Sequence, residues 1–197
     1  MTTGTMASEG ADMPRHVCPY ERVRHIDNWL RPLIHPPNRL FGPYVEPGDR
    51  VLDVGCGGGF ATMALARLVG DGGEVIAADL QPEMLAHVSR RAAREGLSGR
   101  VRTHRCEPAR VGVAGEVDFA VAMFMVHELP DRAAFFEELL ALVRPGGKLF
   151  FAEPLFHISK KSFEEEVSLA EAAGFVVAAR KFILGGRAVV LNRPAGS

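Results

Sequence analysis

The segment VLDVGCGGGF, residues 51–60, constrains the fold more than any other part of the chain. An apolar run ends at a glycine, and Gly55, Gly57 and Gly59 follow at every second position before an apolar-faced stretch, FATMALARLVG, begins. A strand that feeds a helix through a turn lacking Cβ atoms lets backbone approach a ligand closely. The dinucleotide spacing G-x-G-x-x-G/A would need a small third residue where Phe60 stands. Phe60 is too bulky for the close strand–helix contact that glycine allows, which argues against a nicotinamide oxidoreductase.

Downstream, the periodicity switches repeatedly between strand and helix. RVLDVG, EVIAADL, RVRTHR, VDFAVAMFMV and KLFFAEP read as strands, the third more polar and hence nearer an edge. Between them FATMALARLVG, PEMLAHVSRRAAREG and RAAFFEELLALVRPGG read as helices, the last stopped by Pro-Gly-Gly. SKKSFEEEVSLAEAAG is a fourth helix with Ser159 or Ser162 as its cap, and FVVAARKFIL and RAVVLNR close as a hairpin around Gly185-Gly186. Strands alternating with helices mean right-handed βαβ crossovers. The expected fold is α/β: a doubly wound, Rossmann-like, seven-stranded sheet, mostly parallel with an antiparallel C-terminal hairpin and helices on both faces.

The N-terminal quarter differs. Residues 1–13 are small and polar, and the expectation is a disordered tail. Residues 14–47 carry seven of the 13 prolines, the only Trp and both Tyr. Such a stretch cannot be one helix. Short helical pieces over 20–31 and 37–44 are expected, lying as a cap across the body that begins at residue 48. The chain has 197 residues and a formal net charge of −1. That is one domain's length, and it offers no bulk attraction to nucleic acid or an anionic membrane. Three distant cysteines, Cys18, Cys56 and Cys106, argue against a disulfide framework, no apolar run approaches the length of a membrane span, and no signal segment is visible. A cytoplasmic protein is expected, with no metal site.

Ligands of doubly wound sheets bind outside the carboxyl ends of the strands. Asp79 ends the second strand, 24 residues after Gly55, where a carboxylate can accept hydrogen bonds from both hydroxyls of a ribose. Here the sequence resembles the class I S-adenosylmethionine-dependent methyltransferases, of the small-molecule, type 11-like group. VLDVGCGGG is similar to their first motif and Asp79 to their acidic ribose residue. DLQPEML, VDFAVAMFMVHELPD and LLALVRPGGKLFFAEP resemble three further family segments in the family's order. The resemblance spans about residues 48–193. It implies S-adenosylmethionine as cofactor, held by Asp53, Gly55, Cys56, Gly57, Gly59, Phe60, Asp79, Leu80, Met84 and Met123. Where the family places an acid on the adenine amino group, this chain has RCEP, so Glu107 would take that role.

The resemblance also implies a small-molecule methyl acceptor, with no nucleic-acid or membrane partner. His127 follows the fourth strand, at the mouth where transfer would occur. It either packs against its loop or takes a proton from the acceptor. His157, after the fifth strand, faces the same rim. The acceptor pocket would draw on Tyr20, Arg24 and Trp29 of the N-terminal segment and on Phe124, Met125 and Phe156, which suggests a moderately apolar acceptor. Cys18 and Cys106 could suggest a metalloid substrate, but metalloid methyltransferases resemble a longer, more cysteine-rich chain. The alternative function is a protein that binds S-adenosylmethionine as a sensor or partner subunit without transferase activity.

Overall fold

The computed structural model describes residues 35–196, so the expected tail, the helical piece over 20–31 and the candidate residues Tyr20, Arg24 and Trp29 lie outside the described residues. Within them, α1 (Pro37–Leu40) precedes β1 (Arg50–Val54), α2 (Phe60–Leu68), β2 (Glu74–Asp79), α3 (Pro82–Arg94) and β3 (Val101–Arg105). Then come β4 (Val117–Met123), a 3-10 turn (Val126–Glu128), α4 (Arg132–Leu142), β5 (Val143–Pro154), α5 (Lys160–Ala173), β6 (Val176–Ile183) and β7 (Gly186–Asn192). The seven strands form one sheet in the order β3-β2-β1-β4-β5-β7-β6. β1 pairs in parallel with β2 and β4, and β7 is antiparallel to both β5 and β6. The order reverses between β1 and β4, which makes their carboxyl ends the switch point of the sheet.

Alternation along the central strands sends side chains into two cores. Val51, Ala77, Val121 and Phe150 pack with α2 and α3 on one face. Leu52, Val54, Ile76 and Phe151 pack with α4 and α5 on the other. The helix ends follow local chemistry. Asp131 caps α4 by accepting from the Ala134 amide (3.0 Å), and Ser159, not Ser162, caps α5. Among the described residues no helix is long and apolar enough to cross a membrane.

Three features differ from the sequence reading. The helix text RAAFFEELLALVRPGG does not continue to its Pro-Gly-Gly: α4 ends at Leu142, and β5 already begins at Val143, opposite Val117. Arg144 precedes a proline, which pushes it out of the helical region. β4 stops at Met123 rather than Val126, because Phe124 adopts a φ of +65°. Finally, part of the expected cap belongs to the core. Leu40, Phe41 and Val45 are buried, and Phe41 meets Phe150 edge to face at 5.4 Å. A boundary at residue 48 therefore does not separate the body from what precedes it.

Candidate functional site

The three glycines after β1 all take positive φ, +65°, +50° and +83° at Gly55, Gly57 and Gly59. Their surroundings differ. A Cβ on Gly55 would stand 2.8 Å from Cγ of Met125, and one on Gly59 would stand 3.1 Å from Val88. A Cβ on Gly57 would meet nothing within 4 Å. Gly55 and Gly59 are thus fixed by packing, whereas Gly57 faces open space at the carboxyl end of the sheet. That is the cradle a ligand needs.

The cradle is clamped from several sides. The amides of Gly55 and Cys56 donate to the Ala78 carbonyl of β2, at 2.8 and 3.1 Å. Asp79, buried at the end of β2, accepts from the Gly57 amide through Oδ2 and from the Gln81 amide through Oδ1, each at 2.9 Å. Arg91 of α3 donates to the Gly58 carbonyl at 3.0 Å. Asp53, at 2% exposure, accepts from Thr62 in the first turn of α2, so strand, turn and helix are tied together. Burial pushes the Asp79 carboxyl above its ordinary value, against the lowering effect of the Gln81, Gly57 and Leu80 amides. Each oxygen of Asp79 already holds one amide and keeps capacity for a second donor.

The remaining expected contacts fall around this turn. Phe60 opens α2 and is buried, Met84 is buried on α3, Met123 is buried at the end of β4, and Leu80 is half-buried beside Asp79. Glu107 is exposed, in a tight turn whose backbone pairs with Arg110. Cys56 is buried within the turn, and burial, then Asp53 and Asp79, push its thiol well above the ordinary range. Burial, followed by Asp79 and Glu138, pushes the Cys106 thiol up to about 12. Both are neutral thiols, without nucleophilic character at ordinary pH.

The corner after β4 brings the second half of the site over the first. At φ +65°, Phe124 is the one residue other than glycine with positive φ among those described. This conformation costs roughly 1–2 kcal/mol in an L-residue. The Phe124 amide still donates to the Ala152 carbonyl at 2.8 Å, so the sheet edge is retained while the chain turns. The ring seats against Gly186, where a Cβ would stand 2.9 Å from Cε1, and meets the His35 ring edge-on at 5.9 Å. His35 in turn reaches the Leu184 carbonyl at 2.7 Å. The reversal lays Met125 on Gly55 and starts the 3-10 turn that carries His127.

His127 does not merely pack. Its Nδ1 lies 2.5 Å from Oε2 of Glu153, and its backbone amide donates to Oε1 of the same carboxylate at 3.1 Å. Glu153 is 1% exposed at the end of β5. Because a carboxylate only accepts, Nδ1 carries the proton and Nε2 is the basic nitrogen. The hydrogen bond and charge of Glu153, followed by Glu128 and Glu166, hold the imidazole pKa above its ordinary value of 6.5, against the lowering effect of burial. His157 meets the His127 ring edge-on at 5.9 Å but is itself exposed, and Phe156 is 91% exposed on the same rim. Sequence reasoning missed Glu153, Arg91 and Thr62. Of these only Glu153 carried a signal, as a lone acid closing the apolar run KLFFA.

The clamped carboxylate sets an expected result. Asp79→Ala weakens binding of S-adenosylhomocysteine by about 1.5–3 kcal/mol, because the Gly57 amide loses its anchor together with any ligand hydroxyl. Isothermal calorimetry on a variant with unchanged circular dichroism checks this, and unaltered affinity would remove Asp79 from the site.

Comparison with known proteins places this geometry among relatives. A family model described as "Methyltransferase domain" matches residues 51–147. The ubiquinone biosynthesis O-methyltransferase of Xanthomonas axonopodis pv. citri is 31% identical over 145 residues, covering 74% of this chain and 54% of that protein. The chain thus spans about half the length of the curated relatives it matches. A crystal structure of a SAM-dependent methyltransferase from Aquifex aeolicus superposes with a TM-score of 0.81 at 25% identity, covering 90% of this chain and all of that one. A SAM-dependent O-methyltransferase from Thermotoga maritima shares the fold, with a TM-score of 0.66 at 16% identity over 90% of this chain and 72% of its own.

Proposed function

This chain belongs to the class I S-adenosylmethionine-dependent methyltransferases, and from that premise we propose that it methylates a hydroxyl on a small, moderately apolar acceptor. The observation that carries the proposal is the His127–Glu153 pair at the carboxyl end of β4, beside the glycine turn. When bound, S-adenosylmethionine supplies an electrophilic methyl group on a sulfonium. The residues present fit that cofactor, because the space above Gly57 is open and the Asp79 carboxylate is buried with accepting capacity to spare. In this reading Gly55, Gly57, Gly59 and Asp79 hold it, with Asp53, Cys56, Phe60, Leu80, Met84 and Met123 shaping the turn and its flanks and Glu107 nearest the adenine.

The rest falls to the chain's own side chains. Glu153 keeps the proton on Nδ1, which leaves Nε2 of His127 free to receive one from an acceptor hydroxyl. His157 lies on the same rim and helps to orient the acceptor. Phe124 and Met125 present apolar surface at the corner after β4, which favours a ring over a charged acceptor and limits water around the reacting atoms. In-line placement supplies most of the rate, and the imidazole removes the proton that would otherwise oppose transfer. The likeness to a ubiquinone biosynthesis O-methyltransferase supports a ring hydroxyl as the attacking group.

The test is turnover, followed as S-adenosylhomocysteine release, across catechols, simple phenols, aliphatic amines, carboxylic acids and transfer RNA. Release confined to ring hydroxyls is expected. Release with an amine or with RNA but with no phenol would overturn the hydroxyl assignment, and release with none would overturn the transferase reading.

A further inference from the structure

Phe124 is held in an unfavourable backbone conformation by parts of the chain that the proposed chemistry does not use. A bulky residue at φ +65° persists only where its surroundings over-determine it, and such positions cluster at functional sites. Here the surroundings come from the far end of the sequence. Gly186 opens β7, directly across from Pro154 at the end of β5. A Cβ on Gly186 would stand 2.9 Å from Cε1 of Phe124, 3.0 Å from Cγ1 of Ile183 and 3.1 Å from the carbonyl oxygen of Glu153. Gly186 is not among the glycines with positive φ, so its backbone would accept a side chain. The space for one is taken by the Phe124 ring and its neighbours. The ring also meets His35 edge-on at 5.9 Å, and His35 is tied to the same hairpin through the Leu184 carbonyl, 2.7 Å from its Nε2. The hairpin is fastened to the rim in turn, because the Leu155 amide donates to the Gly185 carbonyl at 2.9 Å.

Gly186 therefore touches both halves of the candidate base. The Phe124 ring belongs to the corner that carries His127 three residues on. The Glu153 carbonyl belongs to the residue whose carboxylate holds Nδ1 and the backbone amide of His127. The Phe124 amide joins the two strands by donating to the Ala152 carbonyl at 2.8 Å. Beyond that bond the stack of Phe124 ring, Gly186 and Glu153 backbone spaces the corner from the end of β5. A methyl group on Gly186 would make the ring retreat by about half an ångström to regain ordinary contact.

We propose that Gly186 is a positioning residue: by seating the Phe124 ring against the end of β5, it sets His127 in register with the carboxylate of Glu153. The proposal rests on the base reading of His127 and adds the part of the fold that keeps the base aimed.

Gly186→Ala tests it. At a pH where the imidazole is neutral, its ¹⁵N shifts report which nitrogen carries the proton. In the unaltered protein that is Nδ1; in the alanine variant a second population with the proton on Nε2 is expected. The kcat for a phenol should fall about tenfold, since a displacement on the order of an ångström at reacting groups costs about a hundredfold. Affinity for S-adenosylhomocysteine should stay within about threefold, and a larger loss would move the effect to the glycine turn and overturn the assignment. A glycine that is merely structural would lower the melting temperature and leave the tautomer as it was, which also overturns the proposal. Phe124→Ala removes what the methyl strikes. Added to that variant, Gly186→Ala should change kcat by less than about twofold and the tautomer no further. A full tenfold loss there would show that Gly186 does not act through the ring. Should Gly186→Ala alone fail to fold, recovery of the fold in the Phe124→Ala background supports the seat, and continued failure overturns it. The tautomer reads the geometry whether or not methyl transfer occurs. If it shifts while kcat does not, the positioning stands and the failure belongs to the base assignment.

Discussion

Replacing Gly57 by valine is expected to weaken binding of S-adenosylhomocysteine about a thousandfold, roughly 4 kcal/mol. Gly57 sits at φ +50°, and the direction its Cβ would take is open space above the turn, where the proposed cofactor site lies. A β-branched side chain resists that backbone region and fills the space at the same time. Its amide, moreover, is the group that Asp79 holds at 2.9 Å, so a shifted backbone also releases the carboxylate. The same substitution at Gly55 or Gly59 would be a packing insult, against Met125 or Val88. At Gly57 the fold should survive, with unfolding free energy reduced by about 1–3 kcal/mol from backbone strain. Calorimetry beside a urea unfolding curve separates the two effects. A valine variant that unfolds normally and still binds would show that the turn is structural and the ligand lies elsewhere.

These glycines illustrate how far the sequence could be read. Their spacing, with the strand before and the helix after, was enough to anticipate the doubly wound sheet. It could not separate the glycine that faces open space from the two that face Met125 and Val88, because those neighbours arrive from the corner after β4 and from α3. The antiparallel hairpin and the edge position of β3 were legible for the same reason as the parallel core: patterning and turn chemistry are local. What was not legible depends on register between distant segments. Nothing in VDFAVAMFMV marks Phe124 as the corner, since a bulky residue at positive φ is tolerated only because Gly186 leaves room for its ring. Asp79 was read as a ribose ligand, yet its oxygens also hold the Gly57 and Gln81 amides, a clamp visible only once β2 is set beside β1. The prolines before residue 48 suggested a segment apart from the body, whereas Phe41 is fully buried against Phe150.

His127→Ala is expected to lower kcat by about 10²–10⁴-fold while leaving the affinity for S-adenosylhomocysteine within a factor of about two, since the imidazole takes part only in the proton transfer. The pH dependence carries the more specific test. A general base must be neutral, so turnover should rise with pH as His127 loses its proton. Glu153 and the other acids hold that proton on, which places the inflection above the ordinary 6.5. The stability linkage has the matching sign. A raised histidine pKa stabilises the fold fully below 6.5, and that contribution is lost as pH rises through the higher folded value. Glu153→Gln removes the largest of these influences. Without the carboxylate the inflection moves down, and the high-pH plateau also falls, because an amide can donate to Nδ1 and put the proton on Nε2. If His127 only packs against its loop, Glu153→Gln will destabilise the fold and leave the shape of the pH–rate curve unchanged. A base held by Glu153 requires the curve to move down the pH axis and the plateau to drop together.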